Sequence, residues 1–296
     1  MQVQPQSDHT LLQETLLLVE QVKQYEKTLG IEPAEALTRS SQQKPVTSML
    51  WIWLQRLGTI AVDRPIDARI GVKFSVPKEQ VPLDRVYQAV GYSHYVRQGN
   101  QFGDEDSVIT VDFAKETIAT QVKIIIHEDL HDAKNFDLQW EIEESVITPL
   151  GMLAALEFLQ QTSNFKGVSD MKRAIEEERQ VSRELNDLIR EAEATFQDLP
   201  LGEAREKVRR LLNSHPLYNR YYQYQIKDQD ADLVLEAKLS HDLAYYRYFD
   251  RVVALYERIK DLKLLVQELK KIPPESDWKA VTDYFNKLDE RYRPAG

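Results

Sequence analysis

Apolar residues at Leu12, Leu16, Val19 and Val22 recur at helical spacing and predict a helix over 11–29, with Gly30 as its C-cap. Thr47 to Leu57, short and rich in Trp and Leu, reads as a buried helix. The period then changes. Ile70 to Val76 alternates and predicts a strand, Val86 to Val96 a second and Val108 to Phe113 a third, with Gly99 to Gly103 as a turn. Together these make a small antiparallel sheet. From Ala114 onward the pattern is helical. Helices are expected over 115–133 and over 140–160, where Pro149 should kink or divide the second. A long charged helix over 169–197 carries a thin stripe of Ile175, Leu185, Leu188, Ala192 and Phe196, with 202–212 as its return partner. Residues 230–271 read as one very long helical stretch, and 278–292 as a final helix. The expected fold is α+β and mainly α. Residues 1–113 form a mixed N-terminal region with the small sheet, and 114–296 a helical region with a long charged hairpin.

Composition narrows the function. The chain has 296 residues, 42% of them hydrophobic, with Gly 10 and Pro 12, which excludes disordered and collagen-like chains. Its net charge of −10 lacks the electrostatic footprint of a nucleic-acid binder. With Cys 0, disulfides, thiolate metal sites and Cys nucleophiles are excluded, and a bound transition metal must be held by His, Asp or Glu. The N-terminus is polar, and the stretch Leu11 to Val19 is broken by Gln13 and Glu14, unlike a signal peptide. No apolar run approaches the ~20 residues of a membrane span. A soluble, cytoplasmic protein is expected.

One motif carries chemistry: His127-Glu128-Asp129-Leu130-His131, or H-E-x-x-H, within a stretch already read as a helix. Histidines four apart lie on one helix face, so both imidazoles can reach one zinc. Glu128, about 100° around the helix from His127, can reach a water at the metal without being a ligand. Ile118, Val122, Ile125 and Ile126 should bury this helix and hold the ligands rigidly. From 6 His and 48 acidic residues, the motif is expected by chance about 0.02 times. A catalytic zinc needs a third protein ligand. After a turn containing Asn135 and Asp137, an antiparallel helix would present Glu141, Glu143 or Glu144. Glu141 and Glu144 share a face, and helix geometry does not choose between them. The acids not used as ligands serve the helix N-terminus or an outer shell.

His127-Glu128-x-x-His131 followed by Glu144-Ser145 resembles the bacterial predicted aminopeptidases of the zinc metallopeptidase (gluzincin) type, which carry H-E-L-A-H and then N-E-S-F-A. Glu236-Ala237-Lys238-Leu239 with Tyr245 is similar to that family's N-A-R-L run and its downstream Tyr, and Phe249 to Tyr256 to its next helix. The resemblance covers roughly residues 105–290. It implies a zincin-like fold, a peptide or protein substrate, Zn2+ held by His127, His131 and Glu144, Glu128 as the base and Tyr245 as an oxyanion stabiliser. The chain departs from the family at Asp129-Leu130, which adds an acid near the metal, and at Glu143, Val146 and Ile147.

Competing readings attach to several of these residues. Tyr245 sits in an aromatic-rich helix with Tyr246 and Tyr248 and can be explained by packing. His241, four residues earlier on the same face, is an alternative hydrogen-bond donor. Glu128 to His131 also reads as the E-x-x-H of a di-iron bundle, but no second copy exists, since Leu212 and Lys238 stand three before His215 and His241. A zincin-fold binding or scaffold protein with little turnover is the alternative to a peptidase. Glu176-Glu177-Glu178 reads as a solvated helix face paired with Lys172, Arg173 and Arg179, and Asp104-Glu105-Asp106 as a polar turn. His9 and His94 show no partners, and His215 reads as a loop residue.

Overall fold

The computed structural model describes residues 7–42, 48–60, 68–74, 91–100, 107–274 and 276–293. Helix α1 spans Asp8–Leu29, and Gly30 closes it at φ 81°, the left-handed conformation glycine adopts without a Cβ penalty. The segment expected to be a helix over 47–57 is instead strand β2, Ser48–Arg56. It is the middle strand of an antiparallel sheet ordered β3-β2-β4, with β3 over Ala68–Phe74 and β4 over Tyr92–Asn100. A short apolar run does not reveal its period, and pairing on both edges decides the outcome. Trp53 and Leu54 are both buried, as in a strand covered on its two faces. β4 begins later than expected and runs through Gly99 and Asn100, so these two are strand and not turn. Residues 75–76, 86–90, 101–103 and the acidic 104–106 lie outside the described residues.

The third expected strand is mostly absent. Only Ile109–Thr110, β5, is extended, pairing in parallel with β1, Ser40–Ser41. Thr110 then caps a short helix α2, Val111–Ala114, by accepting from the Phe113 N–H at 3.2 Å. A threonine hydroxyl aimed at a following amide turns the chain into helix despite the β-branched sequence.

The rest is helical: α3 Ile118–Leu130, α4 Trp140–Gln161, α5 Phe165–Asp198, α6 Leu201–Asn213, α7 Pro216–Ile226, α8 Ala231–Tyr246, α9 Phe249–Ile259, α10 Leu262–Leu269 and α11 Trp278–Arg291. Helix α4 continues through Pro149 without dividing. It is buried on every side over 142–147 and 149–155, so tertiary packing offsets the one backbone hydrogen bond that proline removes. The stretch 230–271 is three helices. Lys260 adopts φ 55°, and the Asp261 side chain then caps α10 by accepting from Leu264 N–H at 3.0 Å. α5 and α6 form the expected charged hairpin, and Arg179 joins α5 to Asp250 and Glu257 of α9 at 2.9 and 2.7 Å. Glu176 and Glu177 are exposed, whereas Glu178 turns inward to accept from the Tyr246 hydroxyl. Among the described residues no helix is long and apolar enough to cross a membrane.

Two packings set the positions of the H-E-x-x-H helix and of Tyr245. α3 lies against α4, burying Val122, Ile125, Ile126 and Leu130 with Ile142, Val146 and Leu150, although Ile118 at its first turn stays exposed. α8 is buried between the sheet strands β2 and β4 on one side and α4 on the other. Its polar residues are paired in place. Lys238, wholly enclosed, bonds Asp242 and sits over the rings of Tyr95 and Tyr221 at 4.9 and 4.8 Å. The Tyr218 hydroxyl donates to Asp242 at 2.8 Å, and Arg205 pairs with Glu236 at 2.9 Å.

α1 closes the other side of α3. Lys23 donates to both oxygens of Asp129, at 2.7 and 2.6 Å, and to the Ala34 carbonyl at 2.8 Å. Glu26 is buried beside this pair. Burial, reinforced by the negative Asp129, raises it to about 10. Below its ordinary value of 4.5 both folded and unfolded chains keep the Glu26 proton. Above that value the unfolded chain releases it and the folded chain retains it, so this group costs stability as pH rises. Glu26→Gln is therefore expected to raise the melting temperature at pH 8 by about 2 °C or more and to change it little near pH 4. Thermal melts across that range check this, and a gain independent of pH would assign the effect to packing.

Candidate metal centre

The turn between α3 and α4 aims the two helices at each other. The Asp132 side chain accepts from Lys134 N–H at 2.8 Å. Asn135 donates to the Asp129 and Glu32 carbonyls at 2.7 and 2.8 Å, tying the end of α3 to the segment after α1. The first turns of α4 then lie beside the last turns of α3. His127 Nε2 comes to 3.4 Å from one oxygen of Glu144, and His131 Nε2 to 3.4 Å from the other. The donor atoms of all three residues lie within 4.8 Å of one another. Among the described residues no other trio of His, Asp or Glu donors converges in this way.

The donor set fits a metal ion. With zinc bonds of about 2.0–2.1 Å, neighbouring ligand atoms of a tetrahedral site stand roughly 3.3 Å apart. The two N–O edges already have that length, longer than a strong charge-assisted hydrogen bond. Two imidazoles and a carboxylate suit zinc better than calcium or magnesium, which favour all-oxygen sites. Geometry thus chooses Glu144, which helix periodicity left equivalent to Glu141.

Glu143 has a different place. One of its oxygens is 2.7 Å from His131 Nδ1 and the other accepts from Leu138 N–H at 3.1 Å. A carboxylate on Nδ1 keeps the proton there, so that Nε2, which faces Glu144, is the nitrogen that would give up its proton to a metal. Burial lowers proton affinity at His131, but Glu143 and Glu144 outweigh it and hold the group at about 10. At His127 burial dominates and the value falls to about 4. Glu144, which burial alone would raise, is held below the ordinary carboxylate range by His131 and His127.

Glu128 is half-buried and accepts no hydrogen bond from any described residue. Burial, with Glu144 and Asp129 adding, raises it to about 7 against the opposing charges of His131 and Arg97. Asp129, expected from the sequence to add an acid near the metal, is not among the converging donors. Two positions from His127 and from His131, it lies on the opposite side of α3, 1% exposed, in the ion pair with Lys23.

Tyr245, at the end of α8, borders the same site. Its ring packs edge-on against Trp140 at 5.8 Å, which in turn packs on Trp53 of β2 at 5.1 Å. Its hydroxyl accepts from Arg97 Nη1 at 2.8 Å. Burial and the nearby Glu144 raise its proton affinity, and Arg97 opposes them. His241 is not an alternative donor. Its Nδ1 faces Asp242 at 2.9 Å, and burial pulls it to about 4, so its buried Nε2 carries no proton at neutral pH. Glu236 and Lys238 are likewise committed to Arg205 and Asp242, behind the site and not in it. His9, His94 and His215 lie elsewhere, on α1, on β4 and before α7.

Arg97 has no signal in the sequence pattern. It emerges from the match between β4 and α8. The Ser93 hydroxyl accepts from Ala237 N–H, Tyr95 packs on His241 at 4.9 Å, and Arg97 reaches Tyr245. Two residues of strand advance about 6.7 Å and four of helix about 6 Å, so positions 93, 95 and 97 track positions 237, 241 and 245.

The two neighbouring glutamates separate by experiment. Glu144→Ala removes a donor atom and is expected to abolish stoichiometric zinc. Glu143→Ala removes no converging donor but releases the His131 ring and the Leu138 N–H, and should weaken zinc about 10–100-fold. Zinc titration against a competing chelator measures both, and equal losses would show that Glu143 is itself a ligand. No protein-family model, curated protein or solved structure matches the chain, so the centre stands on its own geometry.

Proposed function

We propose that the chain is a zinc-dependent peptidase with a zincin-like fold, acting on peptide or protein substrates. The observation that carries this is the convergence of His127 Nε2, His131 Nε2 and both Glu144 oxygens, with Glu128 beside them and without a hydrogen-bond partner among the described residues. His127, His131 and Glu144 would hold the ion, leaving one position of a tetrahedral set open. Bound zinc supplies Lewis acidity toward a carbonyl and acidifies water. Glu128 accepts the proton of the attacking water and passes it to the leaving amine. Its raised proton affinity suits it to both transfers near neutral pH. The Tyr245 hydroxyl, with a lone pair taken by Arg97, keeps its own proton to donate to the developing oxyanion.

The observations weigh against the scaffold alternative. The extra acid that made loss of turnover attractive is the buried partner of Lys23. The resemblance to aminopeptidases requires an acid for a free substrate amine. With Glu143 committed to His131, that role falls to Glu141, half-buried in the first turn of α4.

Glu128→Gln keeps shape and removes the base. It is expected to retain zinc and fold while hydrolysis falls by ~10²–10⁴-fold. Peptide-library cleavage read by mass spectrometry, with elemental analysis of both proteins, decides this. Undiminished activity in the mutant, or zinc-loaded wild type that cuts nothing, would sink the peptidase reading.

A further inference from the structure

Arg97 offers more than its hydrogen bond to Tyr245. It projects from β4 to the rim of the metal centre, donates through Nη1 to Tyr245 at 2.8 Å and lies 5.5 Å from the centroid of that ring. A guanidinium has five N–H donors in a planar fork matched to a carboxylate. Among the described residues no carboxylate lies within ion-pairing distance of it, whereas Arg179, Arg205, Arg251 and Arg258 are each paired. The side chain is exposed, in a chain of net charge −10. The contact with Tyr245 fixes the fork, so its remaining edge is preorganised toward a ligand.

We propose that Arg97 is a specificity residue that binds a substrate carboxylate, placed next to the scissile bond on the side of Tyr245. This rests on the peptidase reading above. One Arg97 N–H holds the phenol that faces the reacting carbonyl, and the other edge, which no described carboxylate occupies, meets an anionic group one residue away. Two sources carry that chemistry: the C-terminal carboxylate of a short peptide, and an acidic side chain following the cleaved bond. The charge of Arg97 already acts on Glu144, Glu128 and His127, which puts the fork within electrostatic reach of the reacting atoms.

The test uses the zinc-loaded full chain carrying Glu128→Gln, so that binding is read without turnover. Three tripeptides are titrated by calorimetry: Ala-Phe-Ala, its C-terminal amide, and the C-terminal amide of Ala-Phe-Asp. The free acid is expected to bind about tenfold or more tighter than the first amide. That gap should vanish in Arg97→Gln, which can still donate to Tyr245, and shrink in Arg97→Lys, which keeps charge without the fork. If the Asp-containing amide binds like the free acid, a side-chain carboxylate is accepted as well, and if it binds like the first amide, the terminus is the ligand. Either result supports the subsite. Equal binding of acid and amide, no binding of either, or a preference that survives Arg97→Gln would overturn it, the last by placing the carboxylate on the metal. Turnover by the wild type keeps the two readings apart. Cleavage of acid and amide alike retains the peptidase and removes the subsite. An Arg97-dependent preference in binding without any cleavage retains the subsite and removes the peptidase.

Discussion

The seam between α3 and α4 is the constraint on which the centre depends. Val122, Ile125, Ile126 and Leu130 of one helix fill the space left by Ile142, Val146 and Leu150 of the other, all wholly buried. At about 25 cal/mol per Å² of apolar surface, side chains of this size contribute roughly 1.5–3 kcal/mol each toward one rotational setting of the pair. That setting turns His127, His131 and Glu144 toward a common point. At Gly151 a Cβ would stand 3.5 Å from the His127 Cα, an ordinary van der Waals distance, so the two helices are in direct contact there.

Placing four acids and two histidines along so apolar a seam demands that nearly every charge have a defined partner. The structure divides them by face. Glu144 meets both histidines, Glu143 takes the far nitrogen of His131, and Asp129 turns away to Lys23. Only Glu128 lacks a hydrogen-bond partner among the described residues. Breaking a buried pair such as Lys23–Asp129 typically costs about 3–5 kcal/mol. The second acid of the motif thus works as an anchor between α1 and the ligand helix. An acid at that position of the motif therefore leaves the convergence of His127, His131 and Glu144 undisturbed.

Much of the site was legible because helical spacing fixes it locally. His127 and His131 four apart, Glu128 between them and an acid on the next helix needed no knowledge of long-range packing. What stayed hidden depends on contacts between distant segments. Glu144 could not be told from Glu141 without the angle between α3 and α4. β2 looked like a helix because its adjacent Trp53 and Leu54 are both buried and show no alternation. The breaks near 247 and 260 occur without Gly or Pro, at a close turn and at a left-handed Lys260. Arg97 belongs to no motif, and its role follows from strand register alone.

The commensurate fit of β4 on α8 sets a limit on how this protein can change. Strand and helix act as two scales read against each other, with marks at Ser93–Ala237, Tyr95–His241 and Arg97–Tyr245. Deleting one residue of β4 before Arg97 would turn its side chain to the other face of the sheet, whatever replaced it. Deleting two would restore the face but leave the cation a full helical turn from the phenol. Length variation among descendants of this chain should accordingly avoid β4 and α8 and collect in the connections outside them, while substitutions along α8 are held in check by its enclosed Lys238–Asp242 and Arg205–Glu236 pairs.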